Sequence, residues 1–145
     1  MIAVEIEADG WSAAPKAETL VQAAAEMALE MADRGGYLVV LLTDDTAVQR
    51  LNAEFRNKDK PTNVLSFPAP DGLADHLGDI CLAYETCARE AVEQGKSLAA
   101  HLQHLTAHGV LHLLGYDHDV DADAEIMEAL ERRILAALGV ADPYA

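Results

Sequence analysis

The spacing of histidines in one short segment constrains the fold of this chain more than any other feature. The sequence H-G-V-L-H-L-L-G-Y-D-H runs from residue 108 to 118 and places His108 and His112 four residues apart. Side chains four apart lie on the same face of an α-helix, where two imidazoles can share one metal ion. Gly115 tolerates the backbone turn that ends such a helix and lets His118 fold back towards the pair. The segment therefore predicts a helix that ends in a metal site with three nitrogen ligands.

Three nitrogen ligands leave the fourth position of a tetrahedral ion open. In catalytic zinc sites that position holds a water molecule, whose pKa the metal lowers to about 7. The same spacing occurs in the zinc protease signature H-E-x-x-H-x-x-G-x-x-H, where the glutamate after the first histidine is the general base. Gly109 stands at that position here and cannot take a proton. We therefore expect one zinc ion per chain, in a site that is like a zinc hydrolase site but differs in its chemistry.

Two further histidines precede this motif on the same predicted helix. His101 and His104 lie outside the three-ligand spacing. We expect them to line a solvated helix face or to make outer hydrogen bonds at the metal site, since such bonds commonly orient ligating imidazoles. A closed cage of four ligands that included His104 or a carboxylate would instead indicate a structural zinc site.

Apolar periodicity predicts a single α+β domain over residues 1–145. Short apolar or alternating runs predict strands, and apolar residues at helical spacing between capping residues and glycines predict helices. Because residues 56–70 contain three prolines, they can hold at most one short strand near a sheet edge, and residues 71–76 are predicted to form a polar loop. We expect a small mixed sheet of about four strands packed with about five helices. The predicted strands cover residues 2–7, 37–42, part of 56–70 and 77–83, and the predicted helices cover 15–33, 44–55, 85–94, 98–114 and 121–138.

Charge and hydropathy argue against several classes of function. The chain has 25 acidic and 10 basic residues and a net charge of −15, which disfavours binding to nucleic acid or anionic membrane through bulk charge. Its longest apolar runs fall far short of the roughly 18 residues of a membrane span. The first residues lack the basic start of a secretory signal, so we expect a cytoplasmic protein. Cys81 and Cys87 suit neither a disulfide framework nor a four-thiolate zinc site and are expected to be buried.

The densest positive charge lies in the segment F-R-N-K-D-K-P-T-N-V-L-S-F-P, residues 55–68, which contains Arg56, Lys58 and Lys60. A guanidinium can donate two hydrogen bonds to a phosphate and stabilise the charge that develops when a phosphodiester reacts. Arg56 is therefore the candidate catalytic cation. We expect the acidic residues to lie away from the cleft and these three cations to form a positive rim beside the metal.

Two carboxylates near these motifs are candidates for a general base or for a hydrogen bond that orients a ligand. Asp117 directly precedes His118, and Asp79 lies in the predicted strand segment L-G-D-I. Either carboxylate could equally well cap a turn.

The histidine motif and the basic segment, together with L-G-D-I at residues 77–80 and A-L-G-V-A-D-P-Y at residues 137–144, resemble the YbeY family of endoribonucleases and ribosomal RNA maturation factors. The resemblance implies a single-strand-specific, metal-dependent endoribonuclease that acts in 3′-end maturation of small-subunit ribosomal RNA and in ribosome quality control. The implied partners are single-stranded RNA, ribosomal RNA and ribosome-associated proteins, with neither DNA nor a membrane among them.

The resemblance also implies roles for individual residues. Zinc would be bound by the three histidines of the motif, the family's arginine matches Arg56, and the basic segment would contact RNA. The implied metal ligands are His108, His112 and His118, and the implied RNA contacts are Arg56, Lys58 and Lys60.

One position departs from the family's pattern. The family's loop usually reads P-T-D-V-L-S-F, and Asn63 replaces the aspartate here. An amide keeps some acceptor capacity but loses the charge, so Arg56 could be held less firmly.

Two other functions remain alternatives at this level. A metal-dependent peptide or amide hydrolase is favoured by the histidine spacing and disfavoured by Gly109. A ribosome-assembly binding factor with a structural zinc would require a closed ligand cage.

Overall fold

The computed structural model describes residues 1–70 and 75–144, and within these ranges the chain forms four strands and five α-helices. The expected α+β class with a small mixed sheet is confirmed. The strands are β1 (Ile2–Ile6), β2 (Tyr37–Thr43), β3 (Val64–Pro68) and β4 (His76–Ala83), and the helices are α1 (Ala17–Met31), α2 (Asp45–Arg56), α3 (Tyr84–Glu93), α4 (Leu98–Leu113) and α5 (Asp121–Ala137).

The sheet has the strand order β1-β2-β4-β3. Strands β1, β2 and β4 are parallel, whereas β3 pairs antiparallel with β4, in a register that joins Leu65 to Cys81. β3 is an edge strand, as its flanking prolines predict, because proline cannot supply a backbone donor to a central ladder. This edge position brings β3 beside the C-terminal half of α4.

The main core lies between one face of the sheet and helices α1, α4 and α5. Ile80 and Leu82 of β4 point into this core, whereas Cys81 and Ala83 point to the opposite face and pack against α2. Strand side chains alternate between faces, and this alternation holds from Asp79 to Ala83, after a register shift near the start of the strand. Both cysteines are buried and free, as expected. Burial, with a smaller contribution from nearby carboxylates, raises the pKa of each thiol to about 12.

Two helix starts carry side-chain caps. The Ser97 side chain accepts a hydrogen bond from the backbone N–H of Ala100 at 3.1 Å, and Asp44 accepts one from Ala47 at 2.8 Å. Such caps satisfy amide groups that have no partner within the helix. These caps fix the first residue of α4 and of α2. They therefore help to place the residues in the last turns of both helices, where His112 and Arg56 lie.

A short 3-10 helix over Asp9–Ala13 was not predicted from the sequence. Trp11 is buried in it and donates a hydrogen bond through Nε1 to the backbone oxygen of Thr43 at 2.8 Å. A single buried aromatic residue produces no periodic pattern, which is why the sequence analysis missed it. Of the polar loop predicted for residues 71–76, positions 71–74 lie outside the described residues, and His76 is the first residue of β4. Among the helices that the structure describes, none is both long and apolar enough to cross a lipid bilayer.

Candidate metal centre

His108 and His112 extend from the last two turns of α4, and His118 follows the turn after that helix. One nitrogen from each ring lies within 4.8 Å of the others. The Nε2 atoms of His108 and His112 are 3.0 Å apart. Zn–N bonds of about 2.0–2.1 Å in a tetrahedron place nitrogens roughly 3.3 Å from each other, so the trio fits a zinc-sized ion. Gly115 has a φ of 97°, a left-handed conformation that favours glycine and turns the chain back towards the helix.

The protonation state of His112 suits metal binding. Burial lowers the pKa of this imidazole, and the neighbouring rings of His108 and His118 lower it further. A lowered pKa keeps the ring neutral near pH 7, and the neutral ring is the form that ligates a metal.

A buried carboxylate that the sequence analysis missed lies behind this trio. Glu131 of α5 is fully buried, and its Oε1 atom lies 2.8 Å from Nδ1 of His108. Its Oε2 atom lies 3.0 Å from Nε2 of His104 and accepts a hydrogen bond from the Tyr144 hydroxyl at 2.5 Å. Burial alone would raise the pKa of Glu131, but the hydrogen bonds from His104, His108 and Tyr144 outweigh it and lower the pKa to about 2. The carboxylate is therefore ionised at neutral pH.

The sequence did carry a signal for Glu131. It lies on the apolar face of α5, four residues after Met127 and three before Ile134, and all three side chains are buried. An acidic residue on a buried helix face is almost always paired. The sequence does not indicate the partners of Glu131, because they lie on another helix, α4, and in segment 142–144.

The trio has one open side. Of the residues that the structure describes, only His108, His112 and His118 form a group of three or more metal-binding side chains. His104 bonds to Glu131, and Glu131 bonds to Nδ1 of His108, away from the Nε2 atom that faces His112. They do not close the cage, so a bound ion would keep a position for water or substrate.

The open side faces a cleft of about 780 Å³. Arg56, in the last turn of α2, lines this cleft, and its Nη2 atom donates a hydrogen bond to the backbone oxygen of Ser66 at 2.6 Å. Lys58 also lines the cleft, but Lys60 does not. Two acids share the cleft wall with these cations, Asp117 and Asp119. The rim is therefore mixed in charge and not the uniformly positive rim that the sequence predicts.

The two candidate carboxylates lie in different places. The backbone N–H of His118 donates to Asp117 Oδ1 at 2.7 Å, and this bond is the main cause of a lowered pKa for Asp117. A carboxylate with a lowered pKa is a weak base at neutral pH, so this geometry favours a role in shaping the turn that carries His118. The structure does not bring Asp79 to the cluster. It alternates with Ile80 along β4, so it points to the sheet face away from α4, and it pairs with His76 at 3.4 Å.

Gly109 faces the sheet at close range. The Ser66 hydroxyl donates a hydrogen bond to the Gly109 carbonyl at 3.1 Å. A Cβ atom at this position would lie 3.2 Å from both Ile80 Cγ2 and Ser66 Oγ, so these neighbours would have to shift by a few tenths of an ångström to admit it. A glutamate at this position would therefore disturb the contact between α4 and β3.

Asn63 joins the basic segment to α3 and α4. Its Nδ2 atom donates to Glu90 Oε1 at 2.9 Å, and its Oδ1 atom accepts a hydrogen bond from the Val64 backbone N–H at 2.6 Å. His101, only 3% exposed, lies 2.9 Å from the same Glu90 oxygen through Nε2. We call Asn63, Glu90 and His101 the Asn63 clamp. An aspartate at position 63 could not donate to Glu90, so the departure from the family's pattern has a partner in this chain. His101 is buried in this clamp and does not line a solvated face.

Comparisons with known proteins show which family this chain resembles. The model of the family described as Endoribonuclease YbeY matches residues 4–139. Two relatives named Endoribonuclease YbeY match nearly the whole chain. The one from Rhodopseudomonas palustris strain BisB18 is 55% identical, over 98% of this chain and 90% of the relative, and the one from Azorhizobium caulinodans is 51% identical, over 99% and 96%.

A solved structure shares the fold. The solution structure of TM1509 from Thermotoga maritima has a TM-score of 0.61 and 24% sequence identity, and the match covers 99% of this chain and 98% of that one.

Proposed function

This chain belongs to the endoribonuclease YbeY family, and on that premise we propose that it is a zinc-dependent endoribonuclease that cleaves single-stranded RNA. One observation carries the proposal: the open side of the three-histidine trio and Arg56 face the same cleft. A shared cleft supports a mechanism in which the metal site and the guanidinium act on one phosphodiester.

The chain's own residues supply binding and charge stabilisation. Arg56 uses one guanidinium nitrogen to bond Ser66, which fixes its direction and leaves further N–H groups for a phosphate oxygen. Lys58 adds a second positive charge on the same wall. When bound, the metal supplies Lewis-acid polarisation of a phosphate oxygen or of a water molecule.

The biological setting is part of the same proposal. The enzyme acts in the cytoplasm on ribosomal RNA, in 3′-end maturation of the small-subunit RNA and in ribosome quality control, together with ribosome-associated proteins. Because the chain carries a net charge of −15 and its cleft has a mixed rim, its own affinity for RNA is weak, and partners on the ribosome supply targeting.

The site geometry supports the two alternative functions less well than it supports a nuclease. A peptide hydrolase of the zinc protease type needs a carboxylate after the first histidine, and this chain has Gly109 at that position. A binding factor with a purely structural zinc needs a closed cage, and His104 and Glu131 are engaged away from the metal-facing nitrogens.

The experiment combines metal content with RNA cleavage. Protein purified without added metal is expected to hold one zinc per chain and to cut a single-stranded RNA that spans the small-subunit 3′ end, but not the matching duplex or DNA strand. Arg56→Glu should lower the cleavage rate by roughly 100-fold or more, because a charge-stabilising donor is lost. His112→Ala should lose both metal and cleavage.

The matched control is Arg50→Glu, which makes the same charge change at an exposed position on the same helix and should cleave like the wild-type protein. Unchanged cleavage by Arg56→Glu or His112→Ala would point to a contaminating nuclease and would refute the mechanism.

A further inference from the structure

Segment 142–144 folds back onto α5 through several polar contacts. Asp142 pairs with Arg132 at 3.2 Å and accepts a hydrogen bond from the backbone N–H of Tyr144 at 2.8 Å. The Arg132 guanidinium lies over the Tyr144 ring, 5.2 Å from its centroid. These contacts hold Tyr144 so that its hydroxyl reaches Glu131 and its ring lines the cleft.

Glu131 connects this segment to a metal ligand. The Glu131 carboxylate forms three hydrogen bonds. Its partners are the Tyr144 hydroxyl, Nε2 of His104 and Nδ1 of His108. The other ring nitrogen of His104, Nδ1, is buried and has no hydrogen-bond partner among the described residues, so the polar contacts of His104 are with Glu131 and the Tyr144 hydroxyl. His108 differs, because its second nitrogen faces the Nε2 atom of His112.

The tautomer of a ligating imidazole decides whether it can bind. A neutral ring carries one proton, and only the nitrogen without that proton has a lone pair for a metal. A carboxylate at Nδ1 keeps the proton on that nitrogen and leaves Nε2 free. It also fixes the rotation of the ring, so the lone pair keeps one direction.

We propose that Tyr144 and Glu131 are positioning residues of the metal centre: the Tyr144 hydroxyl holds the Glu131 carboxylate, and the carboxylate fixes His108 as the Nδ1–H tautomer with Nε2 directed at the metal site. Segment 142–144 thereby helps to orient a metal ligand, although it contributes no ligand itself. The inference rests on the metal centre of the proposed function, and it deepens that function by adding residues that act through His108.

Metal affinity is the first readout, measured by zinc or cobalt competition with a chromophoric chelator. Glu131→Gln should weaken binding by about 10–100-fold, because outer partners of a ligating histidine contribute affinity of that order. Tyr144→Phe removes only the hydroxyl and should give a smaller loss in the same direction. The matched controls are Glu90→Gln, which alters the other histidine–carboxylate pair on α4, and Tyr37→Phe, which removes a hydroxyl at the start of β2. Both should bind metal like the wild-type protein.

The second readout needs neither metal nor RNA. Nitrogen-15 NMR of the imidazoles in metal-free protein reports the tautomer of each ring. His108 should be the Nδ1–H form in the wild-type protein and should become a mixture in Glu131→Gln, whereas a merely structural role for Glu131 would leave the tautomer unchanged.

The outcomes separate the inference from the proposed function. A folded Glu131→Gln protein with unchanged affinity and tautomer would overturn the inference, as would a wild-type protein that binds no metal. If Glu131→Gln does not fold, Tyr144→Phe decides by the same two readouts. Loss of affinity in the variants, combined with no RNA cleavage by the metal-loaded wild-type protein, would support the inference and refute the nuclease function.

Discussion

Two histidines of helix α4, His101 and His108, each lie against a glutamate of a neighbouring helix. The two pairs have similar distances but different surroundings. His101 lies 2.9 Å from Glu90, and His108 lies 2.8 Å from Glu131. Glu90 is 25% exposed, whereas Glu131 is completely buried. The second nitrogen of His101 is buried and has no partner among the described residues, whereas that of His108 faces another imidazole at the cleft. What the second nitrogen faces, and not the histidine–carboxylate distance, distinguishes His101 from the proposed metal ligand His108.

The largest expected contrast between the two pairs is in stability. Glu131→Ala removes a fully buried carboxylate that accepts three hydrogen bonds and should lower the free energy of unfolding by about 3–5 kcal/mol. Glu90→Ala removes a partly solvated carboxylate and should cost about 1 kcal/mol. Urea denaturation of metal-free protein in the presence of a chelator measures both values without a contribution from bound zinc. Equal losses would show that burial does not distinguish the pairs.

The Asn63 clamp gives a contrast of intermediate size. Asn63→Asp places a second carboxylate against Glu90 and should cost about 1–2 kcal/mol, because a hydrogen bond is lost and two like charges meet. The loss should shrink as the pH falls towards about 4, where carboxyl groups ordinarily take up protons and the like charges are removed. Urea denaturation across this pH range measures the effect.

A second substitution tests whether the clamp is the cause. Asn63→Asp combined with Glu90→Gln restores an amide–carboxylate pair with the roles reversed, and it should recover most of the lost stability. A double variant no more stable than Asn63→Asp alone would contradict this account of the departure at position 63.

The smallest expected effect is at His101. His101→Gln can still donate a hydrogen bond to Glu90, so it should cost no more than about 1 kcal/mol and leave zinc stoichiometry and affinity unchanged. The same change at His108 removes a ligand. Titration of both variants with zinc makes the comparison, and a loss of zinc affinity in His101→Gln would end the distinction between the two pairs.

The sequence predicts those parts of the site whose residues are close in the chain. His108, His112 and Gly115 follow from helical geometry alone, because four residues make about one turn and glycine tolerates the positive φ that ends it. The edge position of β3 follows from its prolines. These features depend on local backbone chemistry, and the structure agrees with them.

The supporting contacts could not be predicted in the same way. Glu131 and His108 are 23 residues apart in the sequence, and Asn63 and Glu90 are 27 residues apart. Periodicity reports which face of an element is buried, but not which other element covers it. The structure does not support Asp79 as a general base or ligand-orienting residue, for a related reason. The alternation along β4 places Asp79 opposite Ile80, and only the packed structure shows that the Ile80 face is the one that α4 covers.

The close contact at Gly109 has a consequence for how this protein can evolve. Ser66 touches both functional halves of the cleft, since its hydroxyl bonds the Gly109 carbonyl and its own carbonyl holds Arg56. A mutation to glutamate at position 109 would introduce the base of a zinc protease, but Ser66 and Ile80 would have to shift to admit its Cβ atom. Because the carbonyl of Ser66 also accepts the hydrogen bond from Arg56, selection on position 109 would act on the placement of the arginine as well.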